Sequence, residues 1–500
     1  MDGARRYIGA DLGAGSGRVM LGALRDGRVE VEEVHRFRND PVRIHGTLYW
    51  NFTGLLQEVQ AGIGLAARRA GGRLDGIGVD TWGVDFGLLD RAGGLLAPPV
   101  HYRDRRTEGM MDYVFSKIPR KDVFEETGIQ FMVLNTLYQV AAIRKRTPEA
   151  LDAAGKLLLA ADLVHYFLSG CAVAELTLAT TSQMWNPRRR AWSERIIDAL
   201  GIPRRIFPEI VPPGTELAPL EEDLARELGL EGRPPVIASA SHDTASAIAA
   251  VPANPRTSWA YLSSGTWSLL GAELPEPTIT PAALERNFTN EGGVAGTTRF
   301  LKNINGLWLV QECRRRWARD GGDLDYGELT RLASEAAPFG AFVLADDPRL
   351  LAPDDMPAAI RECARETGQP PPETKGQVVR CALESLALAY REVLESLEAL
   401  TGRRFEVLHI VGGGSRNQLL NQLAADATGI PVLAGPVEAT ATGNILVQAM
   451  ATGALRDLGE LRDVVRRSVS PEEYTPRDRD RWDARYAEYC ALRKKIRERT

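Results

Sequence analysis

Three short corners rich in glycine, serine and threonine each follow an apolar run: Asp11-Leu-Gly-Ala-Gly-Ser-Gly-Arg18, Ser263-Ser-Gly-Thr-Trp267 and Val411-Gly-Gly-Gly414. Glycine lets a backbone approach a ligand closely, and successive amides in such turns form an anion-binding nest. Ser and Thr hydroxyls add donors, and Arg18 adds charge. Asp11, just ahead of the first corner, has the chemistry to hold a magnesium ion, usually through water. A tight hairpin accounts for one such corner equally well; three of them, one behind a carboxylate, point to a phosphate clamp. Asp243 stands in Ser-His-Asp-Thr directly after the apolar run VIASA, a placement suited to a general base on a substrate hydroxyl and equally to a helix cap. Asp80 and Asp85 bracket Thr-Trp-Gly-Val, where Trp82 offers either a flat face for a sugar ring or core packing, and Gly83 opens the backbone to substrate.

The elements around these residues read as mixed α/β. YIGADLGAG, GRVMLGAL and RVEVEEVHRF form a meander of three strands, with a turn at Asp26-Gly27. FTGLLQEVQAGIGLAARRAGG has helical spacing and a glycine stop, and IGVDTWGVDFGLLD returns to strand. Residues 108–200 read as mostly helical. A second α/β stretch follows: VIASASHDTASAIAA as strand, polar loop and small-residue helix, WAYLSSGTWSLLGAEL as two strands around a corner, and FEVLHIVGGGSRNQLLNQLAADATG as strand, glycine loop and helix. Its layout echoes the opening hairpin, although the letters barely match. The tail, RDRDRWDARYAEYCALRKKIRERT, reads as a charged helix with a solvated face. A boundary near residue 250 gives domains 1–250 and 251–500.

Length and composition limit the function classes. The chain has 500 residues, 44% hydrophobic and 25% charged, enough apolar material for sizeable cores. Its 61 basic and 66 acidic residues give a net charge of −5, so no overall footprint for nucleic acid is expected. Five scattered cysteines make no disulfide framework and no zinc pair, and no pairing of Cys363 with Cys381 follows from spacing. The remaining histidines lie at no metal-ligand spacing. MDGARRYIGADLGAG has no apolar leader pattern, and no window of ~18 apolar residues is long enough to span a membrane. A cytoplasmic enzyme is expected, monomeric or a small homo-oligomer. Neither GxxxxGK[ST] nor a strand-to-helix GxGxxG is present, so P-loop and dinucleotide-binding readings fall. A GxSxG elbow is also missing.

Taken in order, DLGAGSGRVML, IGVDTWGVDFGLLD, YRDRRT, GIQFMVLNTLYQ, ASHDTASA, YLSSGTWSLLG, TNEGG, LKNINGLWLVQECRR and HIVGGGSRNQLLNQLAADA make the chain resemble the FGGY carbohydrate kinases over nearly its whole length. The resemblance implies two ribonuclease-H-like domains of the actin/Hsp70/sugar-kinase type around a central cleft. It also implies ATP-dependent phosphorylation of a sugar, with L-rhamnulose at O1 the favoured acceptor. By that resemblance Asp243 accepts the proton of the attacking hydroxyl. His242, Thr244 and Gly83 match positions that hold the sugar. Ala14, Gly15, Ser16, Gly17 and Arg18 match the first phosphate loop, Thr266 matches the second, and Asn303, Gln311 and Gly413 match positions lining the nucleotide. Gly15 departs from the family, whose members usually carry a hydroxyl residue there. The amide survives that change, so a modest effect on ATP affinity is expected. The competing readings are the same chemistry on L-fuculose, L-ribulose, D-xylulose or glycerol, a non-catalytic sugar or nucleotide sensor, and a chaperone-like ATPase.

Overall fold

The structure, a computed structural model, describes residues 3–497. The chain divides into two compact units that are not contiguous in sequence. The first holds Met1–Pro252, Glu273–Phe300 and Glu438–Val469, and the second holds Ala253–Ala272, Leu301–Val437 and Ser470–Thr500. One break near residue 250 therefore describes only the first passage, and the chain returns to the first unit twice.

The first unit is built on strands β1 (Arg5–Leu12), β2 (Ser16–Arg25), β3 (Arg28–Arg38), β4 (Gly76–Thr81), β5 (Thr215–Pro219) and β6 (Pro235–Ala238). Their order across the sheet is β5-β6-β4-β1-β2-β3. The meander β1–β2–β3 is antiparallel, while β1, β4 and β6 run parallel. Asp26 and Gly27 both take positive φ, 50° and 67°. A two-residue hairpin demands this of its turn residues to match the strand twist. Helices α1 (Phe52–Arg69), α2 (Leu176–Thr181), α3 (Asp243–Ala249) and α4 (Ala439–Ala451) complete what the site needs.

α4 lies on the sheet at β1 and β4, and glycine makes its approach possible. A Cβ on Gly78 would stand 2.5 Å from Asn444 Oδ1 and 2.6 Å from Gln448 Nε2. With no side chain there, Asn444 reaches Asp80 and Gln448 donates to the Ile8 carbonyl at 2.8 Å. Tyr7, Met20, Leu24, Ala245, Ala249, Ile445 and Leu446 form the apolar cluster beneath.

The second unit repeats the plan with β7 (Trp259–Ser264), β8 (Trp267–Leu274), β9 (Thr298–Asn305), β10 (Val407–Val411), β11 (Val432–Ala434) and β12 (Glu472–Tyr474). They lie in the order β9-β8-β7-β10-β11-β12. β7 pairs antiparallel with β8 and parallel with β10, as β1 does with β2 and β4. The tail helix, Arg479–Arg497, corrects the expectation of a merely solvated face. Trp482, Tyr489 and Leu492 are buried, and Arg493 pairs with Asp346 at 2.8 Å and Glu392 at 2.9 Å. The charged letters hid an apolar stripe that docks within its own unit. The last three residues of that tail, and the first two of the amino end, lie outside the described residues. All five cysteines are free thiols. Among the described residues no helix is long and apolar enough to cross a membrane.

Candidate active site

Strand register alone brings Asp11 between Arg18 on β2 and Asp80 on β4. The Arg18 guanidinium bonds both Asp11 and Glu438, the latter from just ahead of α4. Burial pushes the Asp11 carboxyl up; Arg18 pulls it back, and Asp243 and Glu438 push it further up. Asp80 is fully buried. Its Oδ2 accepts from Asn444 Nδ2 at 2.5 Å, and its Oδ1 has no hydrogen-bond partner among the described residues. Burial raises its pKa well above the carboxylate range, with Asp11 adding to the rise.

The turn before β2 closes through Gly13 N–H on the Ser16 carbonyl at 3.0 Å. Asn39 fixes it from outside, donating to the Gly13 carbonyl at 2.9 Å. Gly17 is demanded by packing, since a Cβ there would meet the Phe37 ring at 2.3 Å. Ala14, Gly15 and Ser16 are left at the surface of the turn.

Asp243 is the first residue of α3. Its Oδ1 accepts from Thr244 N–H at 2.5 Å and Thr244 Oγ1 at 3.1 Å. These bonds fall on Oδ1, and among the described residues Oδ2 accepts none. The side chain is 34% exposed, enough for a ligand to reach it. His242 is buried beside it. Arg299 Nη2 lies 3.0 Å from His242 Nδ1. Arginine only donates, so Nδ1 is the acceptor and the ring proton sits on Nε2, which lies 3.4 Å from Asp243 Oδ1. Arg299 is itself completely buried and is paired with Glu291 at 3.2 Å.

Gly83 lies against α2, where a Cβ would come within 3.1 Å of Thr181 Oγ1. The next residue, Val84, has φ of 70°, strained for a β-branched side chain. Its amide is held by Thr181 Oγ1 at 3.1 Å and its carbonyl by Thr136 Oγ1 at 2.6 Å. Such over-determination is how a strained loop persists at a working site. Trp82 is mostly buried, and its indole N–H goes to Asp85 Oδ2 at 3.0 Å. Asp85 also accepts from Trp50 Nε1 at 2.6 Å, Tyr102 N–H at 3.1 Å and Gln139 Nε2 at 2.9 Å. Trp50 stacks on His101 with centroids 4.1 Å apart. Burial pushes Asp85 up to about 6, against the hydrogen bonds that lower it. The same burial holds His101 down at about 3, so its ring stays neutral.

In the second unit, Thr266 Oγ1 donates to Gln311 Oε1 at 3.1 Å. The carbonyl of Thr266 accepts from Gly306 and Trp308, both at 3.1 Å. Gly412 takes a φ of 85° and Gly414 packs so closely that a Cβ would meet Ser264 Oγ at 2.1 Å. Between them, a Cβ on Gly413 would touch nothing within 4 Å, so this glycine faces open space. Asn303 lies on β9.

Two family models match the chain. The N-terminal domain of the FGGY family of carbohydrate kinases covers residues 6–249, and the C-terminal domain covers 260–452. The chain belongs to the FGGY family of carbohydrate kinases. It is 46% identical to a rhamnulokinase of Bacteroides thetaiotaomicron over 97% of this chain and 99% of that protein. It is 42% identical to one from Enterococcus faecalis, over 94% of each chain, and 38% identical to one from Bacillus subtilis, over 95% and 96%. Among solved structures, a gluconate kinase from Lactobacillus acidophilus superposes with a TM-score of 0.81 at 16% identity, covering 99% of this chain and 98% of that one. A xylulose kinase from the same organism gives 0.81 at 17%, covering 98% of both. At those identities the structures speak to the fold, and the fold is that of FGGY kinases.

Within this carbohydrate kinase, the first unit carries Asp11, Ala14, Gly15, Ser16, Gly17, Arg18, Gly83, His242, Asp243 and Thr244. Thr266, Asn303, Gln311 and Gly413 belong to the second. Sequence reasoning missed Glu438, Asn444, Glu291, Arg299 and the Trp50–His101–Tyr102 ring around Asp85. Of these, Glu291 stood inside TNEGG and Tyr102 inside YRDRRT, two of the motifs used for the resemblance. The donor chemistry suits a hard divalent cation: carboxylates outnumber Arg18, and a buried Asp80 oxygen lacks a donor. Among the described residues no three metal-binding side chains converge, so a cation at Asp11 would complete its shell from water and phosphate oxygens, as magnesium commonly does.

Proposed function

We propose that this carbohydrate kinase transfers the γ-phosphoryl group of ATP to O1 of L-rhamnulose, giving L-rhamnulose 1-phosphate and ADP, as a step in L-rhamnose degradation. The observation that carries the choice of acceptor is the near full-length match to rhamnulokinases, 46% identical over 97% of the chain in one case. Asp243 Oδ2 takes the proton of the O1 hydroxyl. That oxygen then bonds the γ-phosphorus as the bond to the β,γ-bridging oxygen breaks and ADP leaves. His242, oriented by Arg299, fixes the other oxygen of Asp243 and orients the acceptor with Thr244. The Gly83 backbone and the aromatic ring around Asp85 shape the sugar pocket. The turn at Ala14–Gly17 receives phosphate oxygens, with Arg18 balancing Asp11 and Glu438. Thr266, Gln311, Asn303 and Gly413 contact the nucleotide.

Asp11 would hold the magnesium ion, which when bound supplies neutralisation of phosphate charge. Phosphoryl transfer depends chiefly on such positioning and electrostatics. The free thiols of all five cysteines suit a reducing cytoplasmic setting.

The test is ADP release with magnesium and ATP over L-rhamnulose, L-fuculose, L-ribulose, D-xylulose, glycerol and no sugar. Preference for L-rhamnulose by kcat/KM is the expected result. Preference for another acceptor overturns the pocket reading, and no acceptor-dependent release from folded protein overturns the kinase reading in favour of a sensor.

A further inference from the structure

The short helix α2 has the sequence LTLATT, and each of its last two threonines and its Thr177 bonds a different segment of the first unit. Thr177 Oγ1 donates to Glu175 Oε2 at 2.5 Å and accepts the His242 amide at 3.0 Å. Thr180 Oγ1 donates to the Thr177 carbonyl at 3.0 Å and accepts the Gly292 amide at 2.9 Å. Thr181 Oγ1 donates to the Leu178 carbonyl at 2.8 Å and accepts the Val84 amide at 3.1 Å. Every hydroxyl thus spends its single proton on or beside its own helix and turns its lone pairs outward to an incoming amide. All three threonines are buried, where a lost acceptor leaves a backbone N–H without a partner.

The three amides are not arbitrary. His242 precedes Asp243. Val84 follows Gly83 and is the strained residue of that loop. Gly292 follows Glu291, and its carbonyl accepts Arg299 Nε at 2.8 Å, the arginine that sets the His242 tautomer. The helix is anchored in turn by Glu175, whose carboxylate also accepts Thr177 N–H at 2.9 Å and the Ser241 amide at 3.2 Å.

We infer that α2 is a positioning hub for the acceptor half of the reaction: Thr177 sets the Asp243 segment, Thr181 the Gly83 loop, and Thr180 the Glu291–Gly292 segment, which holds Arg299 against His242. Its threonines touch no reacting atom, and they act by holding three separately encoded segments in one frame. The kinetic consequences rest on the proposed function, whereas the structural ones do not.

Thr177→Val, Thr180→Val and Thr181→Val remove one hydroxyl each at nearly constant volume, and the matching serine variants restore it. Hydrogen–deuterium exchange should accelerate by about tenfold or more at the segment each threonine holds, around His242, Gly292 and Val84 respectively, and not at the other two. In the ADP-release assay Thr177→Val should lose about 10²-fold in kcat, the scale of a misplaced catalytic group, with KM for ATP within about twofold. Thr181→Val should raise the KM for the sugar more than it lowers kcat. Each serine variant should recover most of its loss. A folded valine variant whose own segment exchanges at the parent rate overturns the hub, as does uniform loosening of all three segments in every variant. Because the three hydroxyls are tested separately, one variant that fails to fold leaves the other two to decide. A parent protein inactive on every acceptor sinks the proposed function, while the exchange pattern still decides the hub.

Discussion

Alanine at Gly443 puts a methyl group where Ser246 already stands. Its Cβ would lie 1.8 Å from the Ser246 carbonyl oxygen, 2.6 Å from the carbonyl carbon and 3.1 Å from Cα. These are backbone atoms of α3, so no side chain can swing aside. Restoring an ordinary separation near ~3.5 Å requires the helices to part by about 1.7 Å at that point. Neither is free to move. α4 is tied to the sheet through Asn444 on Asp80 and Gln448 on the Ile8 carbonyl. α3 is tied through Ser246 Oγ on the Ala240 carbonyl at 2.7 Å, and it carries Asp243. If α4 yields, the fully buried Asp80 carboxyl loses its bond from Asn444, and a buried polar group left unsatisfied costs ~1–3 kcal/mol. If α3 yields, Asp243 is displaced, and about 1 Å costs ~10²-fold in rate. Overpacking itself costs ~1–3 kcal/mol. A loss of about 3 kcal/mol lowers Tm by roughly 4–6 °C for a unit of this size. Gly443→Ala should therefore show that fall by calorimetry together with a turnover loss of about 30-fold or more. Gly64→Ala is the control. It lies inside α1 with its nearest neighbour at 3.5 Å, and it should gain up to ~1 kcal/mol from helix propensity. A Gly443→Ala protein with Tm within about 2 °C of the parent and turnover within about threefold would refute the argument.

Asp243→Asn keeps the shape and removes the base, so kcat should fall by at least ~10²-fold with Tm unchanged; near-parent turnover would leave Asp243 a helix-start residue only. Chelation of magnesium should stop ADP release, and Asp11→Asn should raise the magnesium concentration for half-maximal rate by at least about tenfold, or ~1.4 kcal/mol. An unchanged magnesium titration in that variant would remove Asp11 from the cation site. Glu175 gives a pH prediction. Burial raises its carboxyl to about 7, against hydrogen bonds from Thr177, Leu178 and Ser241. The folded state then binds more protons than the unfolded chain between pH ~4.5 and ~7, so Glu175's share of stability is present below that window and lost as pH rises through it. The share is roughly 3 kcal/mol. Thermal unfolding from pH 5 to 8 should show Tm falling with pH, and Glu175→Gln should flatten the slope; an equal slope in both proteins would contradict the assignment.

What was legible in the sequence was whatever lay along one stretch of chain. DLGAGSGR writes a strand, a turn and a strand, so the pairing of Asp11 with Arg18 follows from hairpin register. The run from VIASA to Asp243 likewise writes a strand end and a helix start. The second sheet repeats the pairing pattern of the first, as the layout of WAYLSSGTWSLLGAEL suggested. Glu438 and Asn444 were not legible, because they reach Arg18 and Asp80 from a segment that returns to the first unit after a long excursion. Arg299 was hidden for the same reason, and nothing in its neighbours marks it as a fully buried charge. The threonines of α2 look like helix filler until the segments they hold are in place. Trp82 shows the limit of residue type: weighed as core or platform, it is mostly buried and its N–H is committed to Asp85.

The charge balance around β1 bears on why the glycine turn and the carboxylates must work as one device. Asp243 and Glu438 push the Asp11 carboxyl up, and Asp11 and Asp243 push that of Asp80 up. Arg18, a cation set against them, is already divided between Asp11 and Glu438. Two like charges ~4 Å apart repel by about 4 kcal/mol at the effective dielectric of a protein surface. On the proposed function, a bare polyphosphate brought to the Ala14–Gly17 amides therefore meets donors on one side and more acidic groups than Arg18 can balance on the other. Removing the carboxylates would ease that repulsion but discard the base and the anchor of α4. A divalent cation carried in with the phosphates resolves the conflict without either loss, since it satisfies the carboxylates and the phosphate oxygens together. The excess of acid beside the proposed phosphate turn is thus a reason to expect metal-linked nucleotide rather than an obstacle to it.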